Sequence, residues 1–329
     1  MDALVVSAFG DINVLQFQQV EDPRPSQREV SIDVLYAAVN FADTKMRKGE
    51  YYSPVAPPFI LGREVVGRIR EVGESTTGFE IGELVAARTT SGAYAPIAIA
   101  RDLHVVRLGV LEESRLEQVA AAPTAVATAL LVLDRSARLR EGESLLVHGA
   151  AGGLGLVMPQ IARRYNPANI IGTVSDLKKA EIAKESGYTH ILLRDKFHEQ
   201  IRDIVPRGLD VIVDPVGGSV RTYGFEHAAP LGRIVTLGET SSEEQVSMTG
   251  PELRNACITF GGVSLTRYLA LDPAGAGVLL EEAIQAVVNG DVVFPSLNIA
   301  DLGDAGEAHS AIESGQGVGK WILRVSSLT

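Results

Sequence analysis

The sequence predicts an α/β protein in which a β-rich catalytic domain is split along the chain by a doubly wound parallel sheet. Three observations predict it. Residues 1–119 carry short apolar, β-branched runs separated by glycines; from residue 144 strand patterns alternate with helix patterns; and the tail beyond residue 265 is too short to stand alone. A chain of 329 residues has room for two domains at roughly 100 to 200 residues each. The expected division is 1–119 with 266–329 for the β-rich domain and 120–265 for the inserted one.

In the first region, EVSIDVLYAAV (29–39), EVVGRIREVG (64–73) and GELVAAR (82–88) are rich in residues that favour strands. Glycines such as Gly49, Gly73 and Gly82 mark the turns between them. YSPVAPPF (52–59) carries three prolines and is expected to be an extended loop. Residues 112–137, rich in alanine and leucine, suggest two helices parted at Pro123. Five strands follow: SLLVHGA (144–150), NIIGTVS (169–175), HILL (190–193), LDVIVDPVG (209–217) and GRIVTLG (232–238). Helices are expected over 153–165, 177–187, 197–205 and 219–229, and such alternation implies right-handed crossovers and a parallel sheet. ACITFGGVSL (256–265) reads as one more strand. The tail reads as a helix near 278–289, an extended VVFPSLNI, a short helix near 304–313 and a last strand, KWILRVS.

The net charge is −11, from 41 acidic and 30 basic residues, which disfavours nucleic acid and anionic lipid as partners. A small anion remains compatible, because a basic pocket can sit in an acidic protein. The single cysteine, Cys257, excludes an intramolecular disulfide and a multi-cysteine zinc site. No run of about 18 apolar residues suggests a membrane span, and MDALVVSAFGD lacks a secretory pattern, so a cytoplasmic location is expected.

LLVHGAAGGLG (145–155) follows a strand and precedes a helix pattern, the context in which a glycine motif is informative. Gly149, Gly152 and Gly155, with Gly153 extra, let backbone approach a pyrophosphate, so Ala151 and Leu154 of the same loop join them as cofactor-binding candidates. Pro159 removes the donor that would meet the Gly155 carbonyl, so a kink is expected there. An acid at the end of the next strand would bind the ribose of NAD. Here IIGTV ends at Ser175-Asp176, followed by Lys178. If Ser175 holds the key position there is room for a 2′-phosphate beside Lys178; if Asp176 points in, NAD is preferred. Arg194, at the end of the following strand, suits a phosphate and tilts the balance to NADPH.

With AAVNFADTKMRKGEY (37–51), LGREVVGRIREVG (61–73), AAAPTAVATAL (120–130), VHGAAGGLG (147–155), DVIVDPVGG (210–218) and AHSAIESGQGVGKWIL (308–323), the chain resembles the medium-chain dehydrogenase/reductase superfamily. The resemblance spans nearly the whole chain and is to the zinc-independent, quinone oxidoreductase branch. It implies a GroES-like catalytic domain, split in sequence by a Rossmann domain. It also assigns Thr128, Val216, Leu237, Gly238, Gly262 and Val263 to the cofactor, with Lys178 on the 2′-phosphate. Arg194 replaces a tyrosine of the family. Gly261-Gly262 stands where relatives often have bulky aromatics, implying a wider pocket. Many relatives carry an arginine after ES; here Gly315-Gln316 follows, leaving Lys320 as the phosphate candidate.

The resemblance also speaks to metal. The positions of the catalytic zinc ligands in related alcohol dehydrogenases hold Asn40, Arg63 and a residue near Thr124, none of them suited to zinc. No metal is therefore expected. Without a Lewis acid, hydride transfer to an electron-poor acceptor remains feasible: a quinone or an α,β-unsaturated carbonyl. Asn40 and Tyr51 are the catalytic candidates as oxyanion or proton donors, and Tyr52 and Arg63 the substrate-binding ones. Arg63 has two readings: a ligand for an anionic or carbonyl-bearing substrate, or a partner of Glu64 or Asp43. Two other functions stay open. One is an enoyl-thioester reductase, with Lys45, Arg47 and Lys48 as a basic entrance, though a solvated helix face explains these three more simply. The other is a nucleotide-binding structural protein. A homodimer joined through CITFGGVSL (257–265) is expected, since an apolar strand makes a poor free edge.

Overall fold

The computed structural model describes residues 1–52 and 55–325, so the last residue of the expected final strand, Ser326, and two positions of the 52–59 loop, Ser53 and Pro54, lie outside the described residues. The first part of the chain forms β1 (Asp2–Val6), β2 (Leu15–Gln19), β3 (Glu29–Val39), α1 (Phe41–Lys48), β4 (Phe59–Ile60), β5 (Glu64–Val72), β6 (Leu84–Ser91) and β7 (Ile97–Arg107). β3 starts and stops at the residues its sequence suggests. β1 and β2, with β4, make a small antiparallel sheet. α2 (Glu113–Ala120) and α3 (Ala122–Leu130) follow, then a π-helical stretch over Leu131–Ser136. Their break falls at Ala121, ahead of Pro123, because proline is tolerated in a first helical turn, where its missing N–H has no partner to lose.

The inserted segment runs β8 (Ser144–His148), α4 (Met158–Ala162), β9 (Asn169–Val174), α5 (Ala180–Ser186), β10 (His190–Leu193), α6 (Phe197–Ile204), β11 (Leu209–Asp214), α7 (Ser219–His227), β12 (Ala228–Thr236), α8 (Gly250–Ala256) and β13 (Thr259–Gly262). Its six strands are parallel, in the order β10-β9-β8-β11-β12-β13, the doubly wound arrangement. Leu146, Ile171, Leu192, Ile212 and Ile234, one from each of five strands, form an apolar face covered by Phe197 and Ile201 of α6 and Val220 of α7. Fully burying each such side chain stabilises the fold by about 1.5 to 3 kcal/mol.

The tail adds α9 (Leu265–Leu271), α10 (Pro273–Val288), β14 (Leu297–Asp301), α11 (Ala305–Glu313) and β15 (Lys320–Arg324). β15 pairs antiparallel with β3, which returns the tail to the first sheet, β14-β15-β3-β5-β6-β7. A further β3–β7 pairing closes that sheet into a barrel-like form. The chain divides into two compact units, Met1–Ala127 with Tyr268–Thr329, and Thr128–Arg267. The expected joints stood at 119/120 and 265/266. Among the described residues no single helix is long and apolar enough to cross a membrane.

Three expected elements are corrected. The glycine loop does not lead straight into a long helix; turns occupy most of 151–157 and α4 is confined to Met158–Ala162. The strand expected over 256–265 shrinks to four residues, because α8 ends at Cys257 in a left-handed conformation (φ 56°) and α9 begins at Leu265. The tail helix starts at Pro273, earlier than the apolar pattern suggests, since Asp272 Oδ1 accepts from the Gly275 N–H (3.0 Å) and caps it.

Candidate functional site

The first candidate site lies in the split unit, where β5 begins with a fully buried glutamate. A buried carboxylate needs donors, and Glu64 has three from distant parts of the chain. Its Oε1 accepts from Asn40 Nδ2 (2.7 Å) and Lys320 Nζ (2.8 Å), and its Oε2 from the Thr124 N–H (2.7 Å). Lys320 also donates to Asn40 Oδ1 (2.6 Å). The Asn40 amide is thus held at both ends and, among the described residues, one of its two N–H groups is still unspent. Asn40 also caps α1: its backbone N–H donates to Asp43 Oδ2 (2.8 Å). Asp43 is fully buried, and the lost hydration raises its carboxyl to about 6.

This arrangement corrects the expectation for Lys320. Its side chain is buried and committed to Glu64 and Asn40, so it is not a free cation for a cofactor phosphate. Arg63 is resolved as well. It pairs with neither Glu64 nor Asp43, and among the described residues it forms no ion pair. Its Nε and Nη2 meet Met46 Sδ at 3.3 and 3.1 Å, and its guanidinium lies 5.5 Å from the centre of the Tyr51 ring. The side chain lines a cavity of about 420 Å³ whose walls include Val5, Val20, Phe59 and Ile60. Tyr51 donates its hydroxyl to that of Tyr52 (3.1 Å), the rings lying 4.3 Å apart, with Tyr52 exposed.

The basic entrance suggested for thioesters does not form. Arg47 is fully buried, bonding Glu313 (2.6 Å), the Gly10 carbonyl (3.1 Å) and His309 Nδ1 (3.1 Å). Lys48 shares Glu313 (2.9 Å), and Lys45 pairs with Glu50 (2.5 Å). Arg47 can only donate, so His309 Nδ1 accepts and its proton sits on Nε2, facing the Tyr94 hydroxyl (3.2 Å). Burial, then the Arg47 charge, lowers His309 to about 3.

The second candidate site lies in the inserted unit, at the C-terminal ends of its strands, where ligands of doubly wound sheets bind. Gly149 turns the chain with φ 77°, and the N–H groups of Gly149 and Ala150 donate to the Thr173 carbonyl (3.1 and 2.9 Å). At Gly155 an added Cβ would lie within 2.2 Å of the Gly149 carbonyl, so only glycine fits. The kink expected at Pro159 does not arise, because Pro159 sits in the first turn of α4, where its missing N–H has no helical partner to lose. The buried Tyr188 hydroxyl donates to the Gly155 carbonyl (2.7 Å). Gly152 and Gly153 lie between these two glycines with Ala151 and Leu154, in turns with no long helix behind them. An anion here meets turn N–H groups more than a helix macrodipole.

β9 stops at Val174, and Ser175 Oγ accepts from Lys179 Nζ (3.1 Å). Asp176 turns back to cap the next turn, its Oδ1 accepting the Lys178 N–H (2.9 Å). The Lys178 side chain is exposed. Burial, then the Arg194 charge, lowers Lys179 from the usual lysine value, which places Lys179 near Arg194. Sequence reading missed Lys179; the Lys178-Lys179 doublet was its only signal. Arg194 and Val216 line a polar cavity of about 580 Å³, with Tyr223, Thr240 and Ser241. Leu237, Gly238 and Val263 follow β12 and β13; the Val263 N–H donates to the Thr236 carbonyl (2.9 Å). A Cβ built at Gly261 meets open space, whereas one at Gly262 would rest in ordinary contact with Thr236 Cγ2 (3.6 Å), so the extra room is at Gly261. Thr128 sits half-buried on α3, one turn beyond Thr124.

Two family models match the chain: an alcohol dehydrogenase GroES-like domain over residues 26–115 and a zinc-binding dehydrogenase over 153–274. The zebrafish (Danio rerio) synaptic vesicle membrane protein VAT-1 homolog is 33% identical over 72% of this chain, which spans 49% of that relative. Mammalian proteins of that name are covered to about three fifths of their length. A quinone oxidoreductase of Pseudomonas aeruginosa is 28% identical, covering 96% of this chain and 97% of its own. Among solved structures, a mycobacterial protein complexed with NADPH superposes with a TM-score of 0.88 at 26% identity, covering 99% of this chain and 100% of its own.

Proposed function

From the premise that this chain belongs to the medium-chain dehydrogenase/reductase superfamily, in its zinc-independent quinone oxidoreductase-like branch, we propose that it is an NADPH-dependent reductase of quinones or α,β-unsaturated carbonyl compounds. One observation carries the cofactor choice. At the end of β9 Asp176 is spent on a backbone cap, while Lys178, Lys179 and Arg194 supply three positive charges, of which Arg194 lies 3.7 Å from the exposed Asp195. A ribose 2′-phosphate, not a 2′-hydroxyl, matches that balance. The likeness to a protein solved with NADPH supports the same reading.

NADPH, when bound, supplies a hydride. The acceptor gains that hydride and one proton, and the two-electron reduction leaves a saturated ketone or a hydroquinone. The chain's own contribution is donors for the oxyanion that develops. Asn40, its amide oriented by Glu64 and Lys320, offers its unspent N–H without reorganising, which is where such stabilisation is strongest. Tyr51, its hydroxyl bonded to that of Tyr52, lies beside Arg63, and solvent supplies the proton. Zinc is poorly served by the residues at the ligand positions, because Arg63 brings positive charge and Asn40 and Thr124 are weak ligands.

The pairing of Lys45, Arg47 and Lys48 with carboxylates favours free small acceptors over carrier-bound thioesters. The test follows NADPH oxidation with small quinones, enones and crotonyl thioesters. Quinone or enone turnover is expected to dominate. Preferential thioester turnover would replace the proposal, and tight NADPH binding with no turnover of the panel would leave a nucleotide-binding structural protein. We also propose a homodimer through the free edge of β13, which light scattering reads directly.

A further inference from the structure

We propose that Arg63 binds the carboxylate of an otherwise apolar ligand in the cavity of the split unit, so that the acceptor is an acid-bearing one. This deepens the reductase reading and rests on it for the ligand being an acceptor; the binding site itself does not. A guanidinium carries five N–H donors in a fork that matches a carboxylate. Among the described residues two of its nitrogens meet only the Met46 thioether, a weak acceptor, and its guanidinium faces the Tyr51 ring. The neighbouring carboxylates are engaged elsewhere: Glu64 by Asn40, Lys320 and Thr124, and Asp43 by the Asn40 backbone. Arg63 is half-buried, so its charge is only partly solvated, and it has no paired carboxylate among the described residues, a cost that a ligand carboxylate would offset.

The position is rigid. The Arg63 carbonyl accepts from Arg88 Nη1 (2.7 Å) and the Thr89 N–H (2.8 Å). At Gly62 (φ 85°) an added Cβ would fall 2.5 Å from the Tyr94 ring, so the backbone before Arg63 is packed tight. The cavity, about 420 Å³, falls within the usual size for small-molecule sites, roughly 300 to 1,000 Å³. Val5, Val20, Phe59 and Ile60 give it apolar walls, so the ligand's body is apolar and its acid sits at one end.

Calorimetric titration of the full chain without nucleotide tests this, using cinnamate and its methyl ester as probes. Wild type is expected to prefer the acid over the ester by about tenfold or more, a preference that collapses to about one in Arg63→Met. Arg63→Lys, which keeps the charge but loses the fork, falls between. Continued binding of the ester shows that Arg63→Met is folded. Equal affinity for acid and ester in wild type, acid affinity unchanged by Arg63→Met, or no acid binding at millimolar concentration overturns the proposal. Acid binding that depends on Arg63 without NADPH oxidation by any acceptor leaves the site standing and sinks the reductase reading. Turnover of neutral quinones together with equal affinity for acid and ester sinks the site and leaves the reductase reading standing.

Discussion

In the split unit Glu64 is sealed from solvent and answered by three donors, whereas at the strand ends of the inserted unit Lys178 is exposed and Arg194 partly so. The first arrangement is self-sufficient. Each charge is satisfied by another residue, so removing one member leaves the rest buried and unpaired. The second leaves its charges in reach of solvent, where they contribute little to the fold and stay available to a ligand. Substitutions in the first should therefore register as stability, and in the second as affinity.

The sharpest break in that contrast would come from Glu64. Glu64→Ala is expected to destabilise the protein by about 3 to 5 kcal/mol in urea unfolding, because Lys320 stays buried without its anion. The double change Glu64→Gln with Lys320→Met should cost less than the two singles added. A cost for Glu64→Ala below about 1 kcal/mol would make the network resemble a surface pair and end the comparison.

Next in size is the pH response of the same unit. His309 is lowered to about 3 from 6.5, so the stability it contributes is present above pH 6.5 and is lost as pH falls below it, by up to about 1.4 kcal/mol per pH unit. Asp43 is raised from 3.8 to about 6, so its contribution is present below pH 3.8 and is lost as pH rises through 6. Between pH 3.8 and 6 the two oppose each other. His309→Gln should flatten the acid loss and Asp43→Asn should steepen it, read as urea midpoints across that window. Parallel shifts in both variants would show that neither group titrates as its burial implies.

A smaller effect is expected at the glycine loop. Tyr188→Phe leaves the Gly155 carbonyl without its donor, at about 1 to 3 kcal/mol, and should weaken NADPH binding by loosening the loop. Unchanged stability would mean that water replaces the hydroxyl.

Smallest for the fold, and most telling for the second region, are Lys178→Ala and Lys179→Ala. Each should lower NADPH affinity about tenfold while sparing NADH. Lys178→Ala, at an exposed position, should also spare the melting temperature, whereas Lys179 is buried against Ser175 and its loss should lower it. NADPH affinity unchanged in both, or equal binding of NADH by wild type, would undo the 2′-phosphate assignment.

Much of this was legible along the chain. The β3 and β9 strands and the glycine turn follow from local chemistry: β-branched runs pair, and Gly155 must lack a Cβ. Local chemistry explains one miss and distant partners the other. α8 and α9 flank a strand of only four residues, because the Thr249–Glu252 contact (2.7 Å) starts a helix inside what reads as an approach to a strand. Arg47 reads as a solvated lysine-like position on α1, yet Glu313 and His309, far along the chain, bury it.

The sequence by itself determined the two-part architecture, the glycine loop and the residue types at the old metal positions, because period and spacing are properties of neighbours. Only the tertiary structure decided what those residues do. It spent Lys320 on Glu64 and turned Asp176 into a cap. It brought Lys179 to the end of β9, left Arg63 without a carboxylate in an apolar wall, and gave the Gly155 carbonyl the Tyr188 hydroxyl. The reason is physical. A buried charge or polar group is defined by its partners, and those of Glu64 come from residues 24, 60 and 256 positions away.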